Sequence, residues 1–201
     1  MYYTNDLEIK PCRGDCSCMR TTGKCFQEDD MNWLLPKVED ANILVLASPL
    51  YCDGVTGPMK MFMDRLVPVI HLTMEIRDGH LRHPARKDMN LEKIVLVSNC
   101  GFWEIDNFDP IVAHIKAFSK NINAEYVGEL LRPHGHFFRA MLENDMSVND
   151  VIESARQAGC QLVENGKMSS ETIANVSRPL MSRDAFLQMA NQNLLSDQNQ
   201  E

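Results

Sequence analysis

The stretch Ile43-Leu44-Val45-Leu46-Ala47-Ser48-Pro49-Leu50-Tyr51 carries the decisive pattern. Five consecutive apolar residues are bounded by Asn42 on one side and Ser48-Pro49 on the other, which predicts a short strand buried in a parallel sheet. A second run, Ile94-Val95-Leu96-Val97, ends in Ser98-Asn99-Cys100-Gly101, and a weaker strand pattern covers 124–131. Helical spacing fills the gaps between them. Met59, Phe62, Met63, Leu66 and Ile70 recur at three and four, as do Phe108, Ile111, Val112, Ile115 and Phe118. A further helix is signalled by Val148, Val151, Ile152, Ala155, Gly159 and Leu162, and a last one opens at Ser182 or Asp184 and carries Phe186 and Met189. Met31, Leu34, Leu35 and Val38 predict a short helix before the first strand, with Pro36 expected near its first turn. Strands alternating with helices make an α/β class with a parallel sheet, whose ligands belong at the carboxyl ends of the strands.

Length and composition are consistent with this. A chain of 201 residues, 44% of them apolar, is sized for one core. A single domain is expected over 1–195, with a loose tail over 196–201. The formal net charge of -8 disfavours nonspecific attraction to nucleic acid or to an anionic membrane. The opening residues are polar and no later apolar run reaches the roughly 18 residues that span a bilayer, so a cytoplasmic protein is expected. Seven cysteines, an odd number, fit thiols, ligands or packing residues in a reducing compartment better than a disulfide framework.

Two strand ends matter most, the loop from Ser48 through Gly54 and the loop Ser98-Asn99-Cys100-Gly101-Phe102-Trp103-Glu104. Each joins small residues to aromatics. That combination suits a flat ring, since Gly and Ser admit a close backbone approach and aromatic faces stack and exclude water. The same combination also suits an ordinary strand-to-helix turn, and composition alone does not choose between them. There is no Gly-x-Gly-x-x-Gly fingerprint and no P-loop, which argues against a separate dinucleotide-binding domain or phosphoryl transfer.

Ala47-Ser48-Pro49-Leu50-Tyr51 through Gly57-Pro58-Met59-Lys60-Met61-Phe62-Met63-Asp64-Arg65-Leu66 resembles the signature of flavodoxin-like NAD(P)H-dependent FMN reductases and iron-sulfur flavoproteins. Pro11-Cys12-Arg13-Gly14 to Gly23-Lys24-Cys25, then Asp29-Asp30-Met31, is similar to the cysteine-bearing loop and helix start of the same family, and Arg132-Pro133-His134-Gly135 resembles one branch of it. The resemblance implies a three-layer α/β/α fold with five parallel strands in the order 2-1-3-4-5 and FMN across their ends. By the matching motifs, Ser48, Pro49, Leu50 and Tyr51 would line one side of the flavin ring and Asn99, Cys100, Gly101 and Phe102 another, with Asp53 and Thr56 as polar neighbours. Lys60, Asp64 and Arg65 are expected to anchor their helix. The family's opening strand, phosphate-holding loop and first helix have no counterpart here. The expectation is an N-terminally incomplete fold whose strand at Ile43 has an open inner edge.

The resemblance further implies an oxidoreductase in which NAD(P)H reduces FMN and the flavin passes electrons to a small-molecule acceptor. The cofactor carries the chemistry, so no catalytic side-chain set is expected. Cytoplasmic homodimers or homotetramers are implied as well. One alternative is an electron carrier with FMN and an iron-sulfur cluster; another is a non-catalytic remnant or interaction subunit. Cys12, Cys16, Cys18 and Cys25 are the candidate metal ligands, but against the family's C-x2-C-x2-C pattern Asp15 stands where the second thiolate belongs and Cys16 is offset by one. That spacing weighs against both a cluster and zinc. The pairs His80/His83 and His134/His136 lack a carboxylate pattern and read as solvated or hydrogen-bonded histidines.

Overall fold

The computed structural model describes residues 1–20, 23–144 and 146–198. In chain order the elements are α1 (Ser17–Arg20), α2 (Met31–Asp40), β1 (Ile43–Ala47), α3 (Gly57–Asp64), β2 (Glu75–Arg77), β3 (His80–Arg82), β4 (Lys93–Asn99), α4 (Asp109–Ile122), β5 (Glu125–Arg132), α5 (Gly135–Glu143), α6 (Asn149–Asn165), α7 (Ser170–Ser177) and α8 (Arg183–Gln198). The main sheet has the order β1-β4-β5. β1 runs parallel to β4 with Ile43 opposite Lys93 and Ala47 opposite Val97. Strands following one another across the sheet match the 3-4-5 half of the arrangement implied by the resemblance, and the class is α/β.

Contacts gather the chain into two compact units, 1–98 with 108–129, and 99–107 with 130–201. In the first unit, β4 buries Ile94, Val95 and Leu96 on successive positions, as a strand covered on both faces does. β1 differs. Leu46 is buried, yet Val45 on the opposite face is 51% exposed, so this strand is apolar on both faces but covered on one. α2, α3 and α4 each bury an apolar stripe, among them Leu34 and Val38, Phe62 and Met63, and Ile111 and Ile115. α4 ends at Asn123, whose left-handed φ of 62° is one that Asn tolerates.

Three sequence expectations shift. Pro36 lies in the middle of α2 and not in its first turn. The helix forgoes one amide there, while Met31, Leu34, Leu35 and Val38 all remain buried around it. The helix expected through Ile70 stops at Asp64, because the chain turns at Arg65 and tightens into a 3-10 turn over Val67–Val69 containing Pro68. Third, the hairpin β2–β3 lies where no strand was expected, turning at Asp78 and Gly79, both at positive φ.

Asp29 is the hub that ties the N-terminal segment to this unit. Its carboxylate accepts from the N–H groups of Lys10 (2.9 Å) and Met31 (3.1 Å) and from the Arg65 guanidinium, and Arg65 Nη1 also donates to Lys10 O (2.8 Å). Both charges are buried. Arg65 thus anchors the end of its helix as expected, while the Lys60–Asp64 pair is a solvent-exposed i,i+4 contact.

In the second unit α6 packs on α7. Ser169 caps α7, its Oγ accepting from Thr172 N–H (3.2 Å), and Gln161 Nε2 donates to Thr172 Oγ1 (3.0 Å). α8 begins beside Ser182, whose Oγ accepts from Ala185 N–H (3.3 Å). Its backbone is helical to Gln198. The tail expected over 196–201 falls outside the described residues from 199 onward.

Candidate functional site

The loop after β1 is built around Ser48. This buried hydroxyl accepts from Thr56 N–H (3.0 Å) and donates to Pro49 O (3.0 Å), while Ser98 Oγ donates to Ser48 O (2.7 Å). Ser48 is therefore the staple that closes the loop. Beyond it, Tyr51 and Gly54 exchange backbone hydrogen bonds of 3.0 and 3.1 Å around Cys52 and Asp53, whose φ angles of 47° and 61° are those of a type I′ turn. Thr56 then caps α3, its Oγ1 accepting from Met59 N–H (3.4 Å), with Gly57 and Pro58 opening the helix.

A cleft of about 440 Å³ lies over this loop. Tyr2, Tyr3 and Tyr51 supply its aromatic walls, with Pro49, Thr56 and Pro58 beside them. Of the residues singled out by sequence, Pro49, Tyr51 and Thr56 line the cleft, Ser48 supports it from beneath, and Leu50 and Asp53 do not line it. Tyr2 and Tyr3 were missed. Their signal was a pair of adjacent aromatics, but the cleft brings them to Tyr51 from more than 40 positions away in sequence. The volume falls in the range of small-molecule sites and the walls fit an aromatic ring. Among the described residues no Lys or Arg side chain lines it.

In the other unit, the loop after β4 is pinned to the end of β5. Cys100 N–H donates to Arg132 O (3.2 Å), Gly135 N–H to Cys100 O (2.8 Å) and His134 N–H to Phe102 O (2.7 Å). The buried Cys100 thiol also donates to Phe102 O (3.4 Å), and burial pushes its pKa up. Asn99, Gly101 and Phe102 stay exposed. Gly135 sits so close to Asn99 that a Cβ there would come within 3.2 Å of the Asn99 side chain.

Beneath this loop two residues form an uncommon buried pair. Arg132 has no carboxylate partner among the described residues and donates to the carbonyls of Val176 (2.7 Å), Arg178 (2.7 Å) and Pro133 (3.0 Å). Burial, with Arg178 nearby, lowers its pKa to about 10. His134, 1% exposed, accepts from Leu180 N–H at Nε2 (3.1 Å), which places its proton on Nδ1. That Nδ1 is buried with no hydrogen-bond partner among the described residues. Burial and then the Arg132 charge hold the His134 pKa down at about 4, so the ring is neutral at pH 7.

The cysteine loop stands apart from both. Cys12 and Cys16 are exposed, Cys18 is buried and Cys25 is half-buried, and all are free thiols. Cys16 lies at φ 56° with its thiol toward Gly14 O, Asp15 accepts from Ser17 N–H (2.9 Å), and Cys18 sits inside α1. Burial, then the nearby Cys25 and Cys12, raises the Cys18 pKa. Among the described residues no group of three or more His, Cys, Asp or Glu side chains is placed to hold a metal ion, so these thiols as arranged do not fit a four-thiolate cluster.

Comparison with known proteins enters at this point. The iron-sulfur flavoprotein of Methanocaldococcus jannaschii is 41% identical over 64 residues, 32% of this chain and 33% of that one. The FMN-dependent NADH:quinone oxidoreductase 2 of Colwellia psychrerythraea is 24% identical over 121 residues, 57% of this chain and 54% of that one. The chain thus matches about a third to a half of these relatives' lengths. The crystal structure of azoreductase AzrA superposes with a TM-score of 0.46 at 14% identity, over 70% of this chain and 72% of that one. The family description "NADPH-dependent FMN reductase" matches residues 3–87, a span containing β1, its loop and two of the cleft's three tyrosines, Tyr3 and Tyr51. Over those residues, less than half of the chain, the sequence is similar to the NADPH-dependent FMN reductase family.

Proposed function

We propose that this chain is the ring-binding part of a cytoplasmic FMN-dependent oxidoreductase that draws electrons from NAD(P)H and delivers them to a small-molecule acceptor, working as a homodimer or homotetramer. The observation that carries the reading is the tyrosine-walled cleft over the Ser48–Thr56 loop, most of whose lining lies in the segment matched by the family. Tyr51, Tyr2 and Tyr3 would stack on or edge the flavin ring, Pro49 and Pro58 would exclude water, and Thr56 would offer a hydroxyl. Bound FMN would supply hydride acceptance and onward electron transfer. Among the described residues no helix is long and apolar enough to cross a membrane.

The test is retention of flavin by the purified chain, read as a shifted absorption spectrum and quenched flavin fluorescence after filtration, with FMN and riboflavin compared. FMN retention that falls about tenfold or more in Tyr51→Ala is the expected result. A folded chain that retains no flavin overturns the reading. The lack of a Lys or Arg side chain among the described residues that line the cleft favours a second reading, a ring binder indifferent to phosphate, which predicts equal affinity for riboflavin and FMN.

A further inference from the structure

Although its thiols as arranged do not fit a four-thiolate cluster, the cysteine loop is firmly built. It is fastened at its neck. The buried Gln27 donates from Nε2 to Pro11 O (3.2 Å), Lys10 Nζ donates to Glu28 O (2.8 Å) and Lys10 N–H to the Asp29 carboxylate (2.9 Å). These bonds hold the chain entering at Cys12 against the chain leaving at Cys25. Inside the neck the chain doubles back at Gly23, whose N–H donates to Cys18 O (3.1 Å). Gly23 has φ 77° and lies so near the Arg86 guanidinium that a Cβ would come within 2.5 Å of Arg86 Nε, so only glycine suits the turn. The chain is thus returned toward Cys18 two residues before Cys25.

The four thiols of the loop are not equivalent. Cys12 and Cys16 are exposed and both engage Gly14, Cys12 Sγ accepting from its N–H (3.4 Å) and Cys16 Sγ donating to its O (3.8 Å). Cys18 is buried in α1, which packs on the 67–69 turn. Cys25 is half-buried and shares a hydrogen bond with the Arg65 guanidinium. Burial first, then Cys25 ahead of Cys12, raises the Cys18 pKa, so Cys18 is a protonated thiol at pH 7 and Cys25 is the stronger of its two thiol neighbours. The surroundings are basic. Arg13, Arg20 and Lys24 stand against Asp15 between Cys12 and Cys25, in a chain of net charge -8. A partly exposed thiol among fixed cations is the setting in which cysteine oxidation becomes selective.

We propose that Cys25 and Cys18 are a redox pair, in which a hydroperoxide oxidises Cys25 and Cys18 resolves the product as a disulfide. In the first step the Cys25 sulfur attacks the peroxide, an S–O bond forms and the O–O bond breaks, and the thiol proton goes to the departing oxygen. Cys25 becomes a sulfenic acid and the peroxide is reduced to an alcohol or water. Arg65, donating beside that sulfur, is placed to stabilise the departing oxygen while negative charge develops on it. In the second step the Cys18 sulfur displaces the hydroxyl, an S–S bond forms, and the Cys18 proton leaves with the hydroxyl as water. A dithiol reverses the bond by exchange.

The test uses the full chain, reduced, free of flavin and treated with hydrogen peroxide, so its outcome is separate from that of flavin retention. Expected is the loss of two of the seven thiols, restored by dithiothreitol, with the bond mapped to Cys18 and Cys25 by mass spectrometry of the linked peptides. Cys25 should be oxidised about tenfold faster than the exposed Cys160. In Cys18→Ala a sulfenic acid should persist at Cys25 and be trapped by dimedone, while in Cys25→Ser no disulfide should form. The mapping needs no variant, so a variant that fails to fold leaves the test in place. A bond from Cys25 to Cys12 or Cys16, oxidation no faster at Cys25 than at Cys160, or iron and sulfide held by these thiols in anaerobically purified chain would each overturn the proposal.

Discussion

The two loops at the strand ends solve the same problem, holding exposed backbone in a fixed shape, by opposite means. The loop after β1 is stapled by one hydroxyl, Ser48, and turns through two non-glycine residues at positive φ. The loop after β4 is held by three backbone bonds to the end of β5 and rests on Arg132 and His134, which are themselves fastened to the 176–180 segment. The first is mildly strained and, apart from the Ser98 hydroxyl on Ser48 O, held chiefly by bonds within itself; the second is tied to residues that lie more than 30 positions away in sequence. Breaking each should therefore cost different amounts and be felt in different places.

The largest effect is expected at Arg132. Arg132→Met keeps much of the apolar stem but strips donors from the carbonyls of Val176, Arg178 and Pro133. Leaving such acceptors buried and unpaired costs about 1–3 kcal/mol each when nothing relaxes, so a net loss of about 3 kcal/mol is expected from urea unfolding. Hydrogen exchange should also quicken at the Cys100 and Gly135 amides, which share the β5 end. A variant as stable as the natural chain would show that the buried cation's desolvation cost cancels its bonds.

His134 sharpens the comparison through pH. Its folded pKa of about 4 lies below the unfolded value near 6.5, so between those values the unfolded chain binds the extra proton. Stability contributed by the neutral ring is complete above about 6.5 and is lost as pH falls toward about 4, by as much as about 3 kcal/mol. The reason is geometric. A proton on Nε2 would break the bond from Leu180 N–H and place a second charge beside Arg132. In His134→Gln the urea midpoint should change much less between pH 7 and pH 5 than in the natural chain, whereas an equal change in both would assign the acid sensitivity elsewhere.

These two residues also mark how far the sequence could be read. β1 and β4 were legible because Ile43 to Ala47 and Ile94 to Val97 are unbroken apolar runs stopped by polar residues, a local signal. The roles of Arg132 and His134 were not, because their partners at 176–180 arrive only after two intervening helices, at the end of a third. α5 was hidden for a local reason: it opens at Gly135 after Pro133, lacks a capping side chain and fully buries none of its residues. The β2–β3 hairpin carried a usable sign in Asp78-Gly79, a type I′ pair, but its apolar residues face outward and so gave no buried-strand pattern. At the cleft, Pro49, Tyr51 and Thr56 followed from their motif, while Tyr2 and Tyr3 depend on a tertiary approach that no spacing reveals.

The smallest effect tests the first loop. Cys52 and Asp53 occupy the two positive-φ positions of a turn that favours Asn-Gly or Asp-Gly, and of the two Cys52 tolerates it less well, since Asp can bond its own backbone there. Cys52→Gly removes the Cβ clash of a left-handed residue, about 1–2 kcal/mol, and gives back part of it as added freedom in the unfolded chain. A net gain of about 0.5–1 kcal/mol is expected in thermal or urea unfolding, with the Tyr51–Gly54 bonds retained. If the glycine variant is instead less stable, the exposed Cys52 side chain makes a contribution that outweighs its backbone strain. The loop after β1 would then share the design of the loop after β4, its shape fixed by a side chain and not by the turn alone.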